Sequence, residues 1–314
     1  LLSILKKQPE GSKSGGKMNG SSIFFIIISA DEEKPYVKFL CESIRTFGGV
    51  MANSPIWIFN ANPQQVDCKN LADQQTQVFP LDYSGSMRRY PYRNVVLACA
   101  QAEEQAAPEI KSLIWVSSDC LILQPPVLFE NGDDYDVSVR PVHIRNVGIP
   151  LSDPLDAFWR GIYKEVGTSD IRRSVTSFVD GQLLRAYYNF HAASVRPSKG
   201  LFRRWRDHFL KMVHNDTFQA TACEDQTHRI FLFQSIFCAI VSTIVSEERL
   251  RLLPPTYNYP LNLHSQVPDE RRAASLNDLV LFAYEDMNLY PDALTDIEVH
   301  EPLRSWLQTR FPKI

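Results

Sequence analysis

Six consecutive apolar residues, Ile23-Phe24-Phe25-Ile26-Ile27-Ile28, stand between a serine and the stretch Ser29-Ala30-Asp31. Such a run has no polar face to show to water. Its shortness and β-branched content fit a strand covered on both sides, as in a parallel sheet. The next residues agree. Val37, Leu40, Ile44 and Phe47 recur at helical spacing, Pro35 suits a first turn, and Gly48-Gly49 supplies a stop. Ile56-Trp57-Ile58-Phe59 reads as a second short strand, so the chain opens strand-helix-strand, the unit of a parallel sheet. Residues 94–105 read as another helix closed by Pro108, and Ser112-Leu113-Ile114-Trp115-Val116 as a third buried strand. The expectation is an α/β fold: a single Rossmann-type domain with a mainly parallel twisted central sheet and helices on both faces. The segments at Ile23, Ile56 and Leu113 should share that sheet.

Composition narrows the function classes. The 314 residues are 44% hydrophobic and 22% charged, enough for a sizeable core. The formal net charge of −3 argues against nucleic acid as a partner, which needs a basic footprint. No transmembrane segment is expected: a span needs roughly 20 apolar residues, and the best stretch, residues 230–245, is interrupted by Gln234 and Ser235. The six cysteines include no CxxC pair, which speaks against a disulfide scaffold and a structural zinc site. Cys41, Cys99, Cys120 and Cys238 sit in apolar-periodic segments, as small core residues do. A reducing, cytoplasmic compartment is expected; the secretory-pathway lumen would require an anchor upstream of Leu1, where no initiator Met stands. Residues 1–22, rich in Gly, Ser and Lys, read as a flexible leader ahead of a domain over 23–314.

The third strand runs into Ser117-Ser118-Asp119-Cys120, then Leu121-Ile122-Leu123 and Pro125-Pro126. Open α/β sheets bind ligands at the carboxyl ends of their strands, and a short carboxylate there can hold a dication that neutralises a diphosphate. This order resembles the DxD region of glycosyltransferase A (GT-A) enzymes, above all family 8, the glycogenin-like transferases. Further segments keep to the family's order. Ser29-Ala30-Asp31 resembles its nucleotide-binding start, and Tyr90 and Arg93 its Tyr and Arg ahead of the DxD strand. Tyr187-Tyr188-Asn189 with Ala193-Ser194-Val195-Arg196-Pro197 resembles its Phe-Asn-Ser-Gly strand and Arg-Pro turn. Glu224-Asp225-Gln226 resembles its Asp-Gln pair, and Leu253-Pro254-Pro255-Thr256-Tyr257-Asn258 matches its Leu-Pro-x-x-Tyr-Asn segment. The resemblance covers about residues 23–262.

The resemblance implies a GT-A-like domain with a sugar-nucleotide-binding half, 23–124, and an acceptor-side half, 125–314. It implies a nucleotide-diphosphate sugar held by Ser29, Ala30, Asp31, Tyr90, Arg93, Ser117, Ser118, Asp119, Asn189, Tyr257 and Asn258. Asp225 and Gln226 take the catalytic positions, Gln226 placing the sugar. Asp119 is the one metal ligand at a matching position, for Mn²⁺ or Mg²⁺. The expected reaction is sugar transfer to an unidentified acceptor (glycan, protein or lipid) with retained configuration; an inverting course would need a carboxylate base, for which Asp225 is nearest.

Two departures bear on the metal. Ser117 stands where the pattern has an aspartate, and the late strand at 279–286 carries no histidine. His264 lies too early and reads as a surface or loop residue. The metal is then held weakly by Asp119 and the diphosphate, or replaced by Arg or Lys, or the protein binds a sugar nucleotide without turnover. A nucleotidyltransferase is a further alternative, disfavoured because residues 29–34 contain no glycine. The amphipathic stretch 201–213, His143 and the turn Asp180-Gly181-Gln182 read as structural.

Overall fold

The computed structural model describes residues 21–81, 87, 89–285, 294 and 296–310. The expected leader, apart from its last two residues, lies outside them. The first strand, β1 (Ser22–Ile28), is buried along its length and starts one residue before the apolar run. It pairs in parallel with β2 (Ile56–Asn60), whose outer neighbour is β3 (Thr76–Pro80), and with β4 (Ser112–Val116) on its other side. The three strands read from the sequence therefore lie in one sheet. After β4, the short β5 (Cys120–Ile122) leaves for a second sheet. The main sheet is completed by β6 (Val137–Pro141), β9 (Tyr188–Val195) and β10 (Leu250–Leu252), while β7 (Ser174–Thr176) and β8 (Leu183–Arg185) pair with each other. The order is β10-β6-β9-β4-β1-β2-β3. Only β9 runs against its neighbours, β4 and β6.

Alternation along β1 builds two cores. Ile23, Phe25 and Ile27 join one cluster and Phe24, Ile26 and Ile28 the other, so a side chain on either face gains roughly 1.5–3 kcal/mol on burial. α1 (Lys34–Phe47) covers the second face with Val37, Leu40 and Ile44. The first face carries α2 (Arg93–Gln105), α3 (Ala157–Val166), α4 (Leu201–Val213), α5 (Asp216–Ala222) and α6 (Gln226–Ile244). In α4 the buried stripe is Leu201, Phe202, Trp205, Phe209 and Met212, with the arginines outside it. α6 is longer than the sequence pattern suggests, and by length and apolarity alone it is sufficient to cross a membrane. Here it packs against β9, α3 and α4, with residues from Leu232 to Val241 buried.

The small sheet matters most for the site. β11 (Tyr259–Pro260) runs parallel to β12 (Leu281–Ala283), and β12 runs antiparallel to β5 with Ala283 opposite Cys120. The Tyr284 amide donates to the Asp119 carbonyl at 2.9 Å and its hydroxyl to the Ser118 carbonyl at 3.1 Å. The chain after β12 is thereby fastened alongside residues 117–119. A last helix, α7 (Leu303–Arg310), buries Trp306 against Phe39 of α1. All six cysteines are free thiols.

Candidate functional site

A cavity of about 480 Å³ opens at the carboxyl ends of β1 and β4, where sheets of this kind place their ligands. Ser29 reaches it from β1, and Ser117, Ser118 and Asp119 reach it from β4. Asp119 is only 22% exposed. Asn189 and His191 on β9 and Glu285 after β12 line the cavity alongside them, the Ser117 amide donating to the His191 carbonyl at 2.7 Å. Gln234 of α6 and the amides of Asn94, Asn146 and Asn262 add neutral donors and acceptors, and Tyr92, Phe231 and Phe233 form an aromatic side. Tyr92 stacks on Phe233 with ring centroids 4.7 Å apart.

Other residues singled out in the sequence fall around the cavity rather than in it. Asp31 is exposed and pairs with Lys34 at 2.8 Å; neither it nor Ala30 lines the cavity. Glu33, two residues on, does line it. Its carboxylate accepts the Ser29 amide at 2.7 Å. Burial pushes the Glu33 carboxyl above its ordinary value, outweighing the amides of Ser29 and Ala30 that lower it. Arg93 opens α2 but turns away, its guanidinium donating to the Tyr90 carbonyl at 3.2 Å. Its neighbour Asn94 faces inward and donates to the Ser29 hydroxyl at 3.3 Å. Tyr90 is buried against Phe209 and hydrogen-bonds Gln219; burial pushes its phenol up to about 12.

The carboxyl-terminal candidates divide likewise. Asp225 caps α6, accepting the His228 amide at 2.8 Å and pairing with the His228 ring. Partial burial pushes its carboxyl up, but these His228 bonds prevail and hold it below the usual range. Gln226 is exposed at the first turn of α6, and neither residue lines the cavity. Tyr257 is buried behind the wall, accepting the Leu128 amide at 3.0 Å. Asn258 is fully buried with φ at +57°, and its amide nitrogen donates to Asn189 Oδ1 at 2.5 Å. It reaches the cavity only through Asn189. His264 is a correction: it is buried, 2.8 Å from the Tyr259 hydroxyl and 3.1 Å from the Asp296 carbonyl.

Sequence reasoning misses His191 and Glu285. His191 Nε2 lies 3.3 Å from Glu285 Oε1 and 4.0 Å from Asp119 Oδ2, while Nδ1 lies 2.9 Å from Asn189 Oδ1. The signal for His191 is its spacing: Asn189 and His191 are polar residues two apart in an apolar strand, so they share a face. Glu285 obeys the strand-end rule that finds Asp119. His143 also lines the cavity, its ring stacked on that of His191 at 6.3 Å. Burial, then the charges of Arg140 and His191, hold its imidazole well below the usual value, so it is neutral. Among the described residues that line the cavity there are three carboxylates, Glu33, Asp119 and Glu285, and no lysine or arginine.

The described residues present no preformed cage for the metal implied by the resemblance. A hard dication wants several oxygen donors converging on one point. Here Ser117 offers a neutral hydroxyl, and the imidazole of His191 faces both carboxylates. No group of three or more His, Cys, Asp or Glu among the described residues is placed to hold a metal ion.

No protein-family description and no curated protein sequence matches the chain. Solved structures do. Mouse xyloside xylosyltransferase 1 superposes with a TM-score of 0.50 at 11% identity, over 85% of this chain and 99% of its own. The protein has the GT-A fold. A galactosyltransferase, LgtC, solved with donor and acceptor sugar analogues, is similar over 93% of this chain and 97% of its own, with a TM-score of 0.49 and 10% identity. The glycosyltransferase GlyE of Streptococcus pneumoniae TIGR4 is similar over 93% of this chain, with a TM-score of 0.46 and 9% identity; the match spans 60% of that longer chain. Within the GT-A fold, the cavity lies where the sheet's strand ends gather Ser29, Asp119 and Asn189.

Proposed function

We propose that the protein transfers a sugar from a nucleotide-diphosphate sugar to an acceptor hydroxyl. The observation that carries this reading is the cavity itself: carboxylates, side-chain amides and aromatic rings together line a space at the strand ends. Carboxylates and amides suit sugar hydroxyls, and an aromatic face suits the C–H side of a pyranose. The xylosyltransferase name of the mouse protein with this fold supports the same class of chemistry. The glycosidic C1–O bond to the diphosphate breaks, C1 bonds the acceptor oxygen, and the acceptor proton passes to the departing phosphate oxygen. Configuration is retained on this course and no protein base is needed. If the reaction inverts instead, the base is one of Glu33, Asp119 and Glu285, which line the cavity, rather than Asp225, which does not. Hydroxyls of Ser117 and Ser118, the amide of Asn94 and the imidazole of His191 supply N–H and O–H donors for the leaving group.

A second reading, binding without turnover, draws support from the missing lysine and arginine among the described lining residues and from the outlying Asp225-Gln226 pair. Thermal shift with UDP-, GDP-, CMP- and dTDP-sugars, combined with assay of nucleotide release with and without candidate acceptors, separates the two. Release that depends on an acceptor is expected. Binding without any release supports the second reading, and absence of binding to every donor refutes both.

A further inference from the structure

We propose that His143 forms a recognition subsite for a ligand hydroxyl on the wall of the cavity. The residue is only 4% exposed, yet it lines the cavity. Neither Nδ1 nor Nε2 of its ring has a hydrogen-bond partner among the described residues. Two polar atoms withdrawn from bulk water weaken a fold unless something answers them, so such a pair asks for a partner. The chain on either side of the ring is pinned. The Phe178 amide donates to the Val142 carbonyl at 2.9 Å, the Val179 amide to the His143 carbonyl at 2.7 Å, and the Arg145 amide to Asp180 Oδ2 at 2.9 Å. The ring itself stacks on that of His191, the planes 19° apart. These bonds and contacts hold the imidazole in place and leave both nitrogens unused. The cavity is where a partner can reach them.

The neighbours fit a polyol better than an anion. Asn146 and Asn262 bring exposed side-chain amides to the same cavity, and Ile144 and Leu263 bring half-buried apolar surface. Asn146 sits at φ +45°, a conformation that costs energy in a residue with a side chain and that clusters at ligand sites. The His143 ring is neutral, as burial and the charges of Arg140 and His191 dictate, so it offers one N–H and one lone pair. A phosphate or carboxylate oxygen only accepts; it would leave the lone pair unanswered and would enter a cavity that already holds Glu33, Asp119 and Glu285. A hydroxyl both donates and accepts, and so can answer either nitrogen. The subsite deepens the transferase reading and rests on it for the kind of ligand: the hydroxyl belongs to the transferred sugar or to the acceptor. It selects against a deoxy analogue, which would leave the buried ring unpaired again.

The test is calorimetric titration of wild type, His143→Phe and His143→Gln. The probes are UDP-, GDP-, CMP- and dTDP-sugars, the matching nucleotides without sugar, and methyl hexosides. Phe keeps the shape of a flat ring without its nitrogens, whereas Gln keeps a donor and an acceptor. His143→Phe is expected to lose about tenfold in affinity, the worth of one or two neutral hydrogen bonds, and His143→Gln to lose less. A loss for the sugar nucleotide with the sugar-free nucleotide unchanged assigns the hydroxyl to the transferred sugar. A loss confined to the methyl hexosides assigns it to the acceptor. Three results overturn the proposal: every probe bound alike by wild type and His143→Phe, His143→Gln weakened as much as His143→Phe, which marks a packing role, or an equal loss for the sugar-free nucleotide. The transferase reading is judged separately. Sugar nucleotides bound alike by wild type and His143→Phe, with no hexoside effect, remove the subsite and leave that reading standing. Hexosides held through His143 with no nucleotide bound keep the subsite and remove the reading, and a wild type that binds no probe removes both.

Discussion

The two walls of the cavity are built by different means. Ser29, Glu33 and residues 117–119 belong to the carboxyl ends of β1 and β4, parallel strands whose apolar runs are continuous and buried on both faces. Asn189, His191 and Glu285 come from the one antiparallel strand of the main sheet and from the chain beyond β12. The first wall rests on a core that forms early in the sequence. The second is fixed by the ladders of β9 with β4 and β6 and, at the site, by a few polar bonds: Asn258 to Asn189, and Tyr284 to Ser118 and Asp119. Changes in the first wall's foundation should act on the whole fold, and changes in the second should act on the site.

The largest expected effect is at the foundation. Phe25 is fully buried among Phe59, Trp115 and Phe202. Phe25→Ala should destabilise the protein by about 3–5 kcal/mol, the range for truncating a buried aromatic, read by urea unfolding. A loss below about 1 kcal/mol would show that β1 is not the centre of the core. Asn258 tests the second wall. Asn258→Ala loses the bond to Asn189 and puts an alanine at φ +57°, which together should cost about 2–4 kcal/mol. Asn258→Gly relieves the backbone and keeps only the lost bond, so it should cost less. Equal losses in the two variants would remove the backbone's share of the argument.

These elements also divide what the sequence makes legible from what it hides. β1, α1, β2, α2 and β4 each carry a local apolar pattern, and each is readable to within a residue or two. β3 is hidden: at the edge of the sheet only Thr76 of its five residues is buried, so no apolar run marks it. Strand-end logic locates Asp119, and the resemblance adds Ser29 but also draws in Arg93, Asp225 and Gln226, which the fold directs elsewhere. Glu285 joins Asp119 through the pairing of Ala283 with Cys120, a contact between residues far apart in the chain. No local pattern encodes such a register. His264 reads as a surface residue in the sequence because its partners, Tyr259 and Asp296, meet it only in the folded chain.

A smaller effect returns to the first wall. The Glu33 carboxyl is raised mainly by burial, so the folded state holds its proton more tightly than the unfolded chain does. Stability from this group is present in acid and is lost as pH rises from the ordinary carboxylate range through the raised value. Wild type should therefore lose stability relative to Glu33→Gln as pH goes from acid to neutral, read by urea unfolding at each pH. A relative gain over that interval would mean that the Ser29 amide, not burial, governs the group.

The central claim is that the Asp119 cavity takes the sugar nucleotide. The most direct test is a thermal shift series with UDP-, GDP-, CMP- and dTDP-sugars on wild type, Asp119→Asn and Asp225→Asn, in Mn²⁺ and in EDTA. A ligand at about one hundred times its Kd stabilises the native state by about 2.7 kcal/mol, a shift of several degrees. The account predicts such a shift for wild type with at least one donor, retained in Asp225→Asn and diminished in Asp119→Asn. A shift that disappears in Asp225→Asn and survives intact in Asp119→Asn would contradict it.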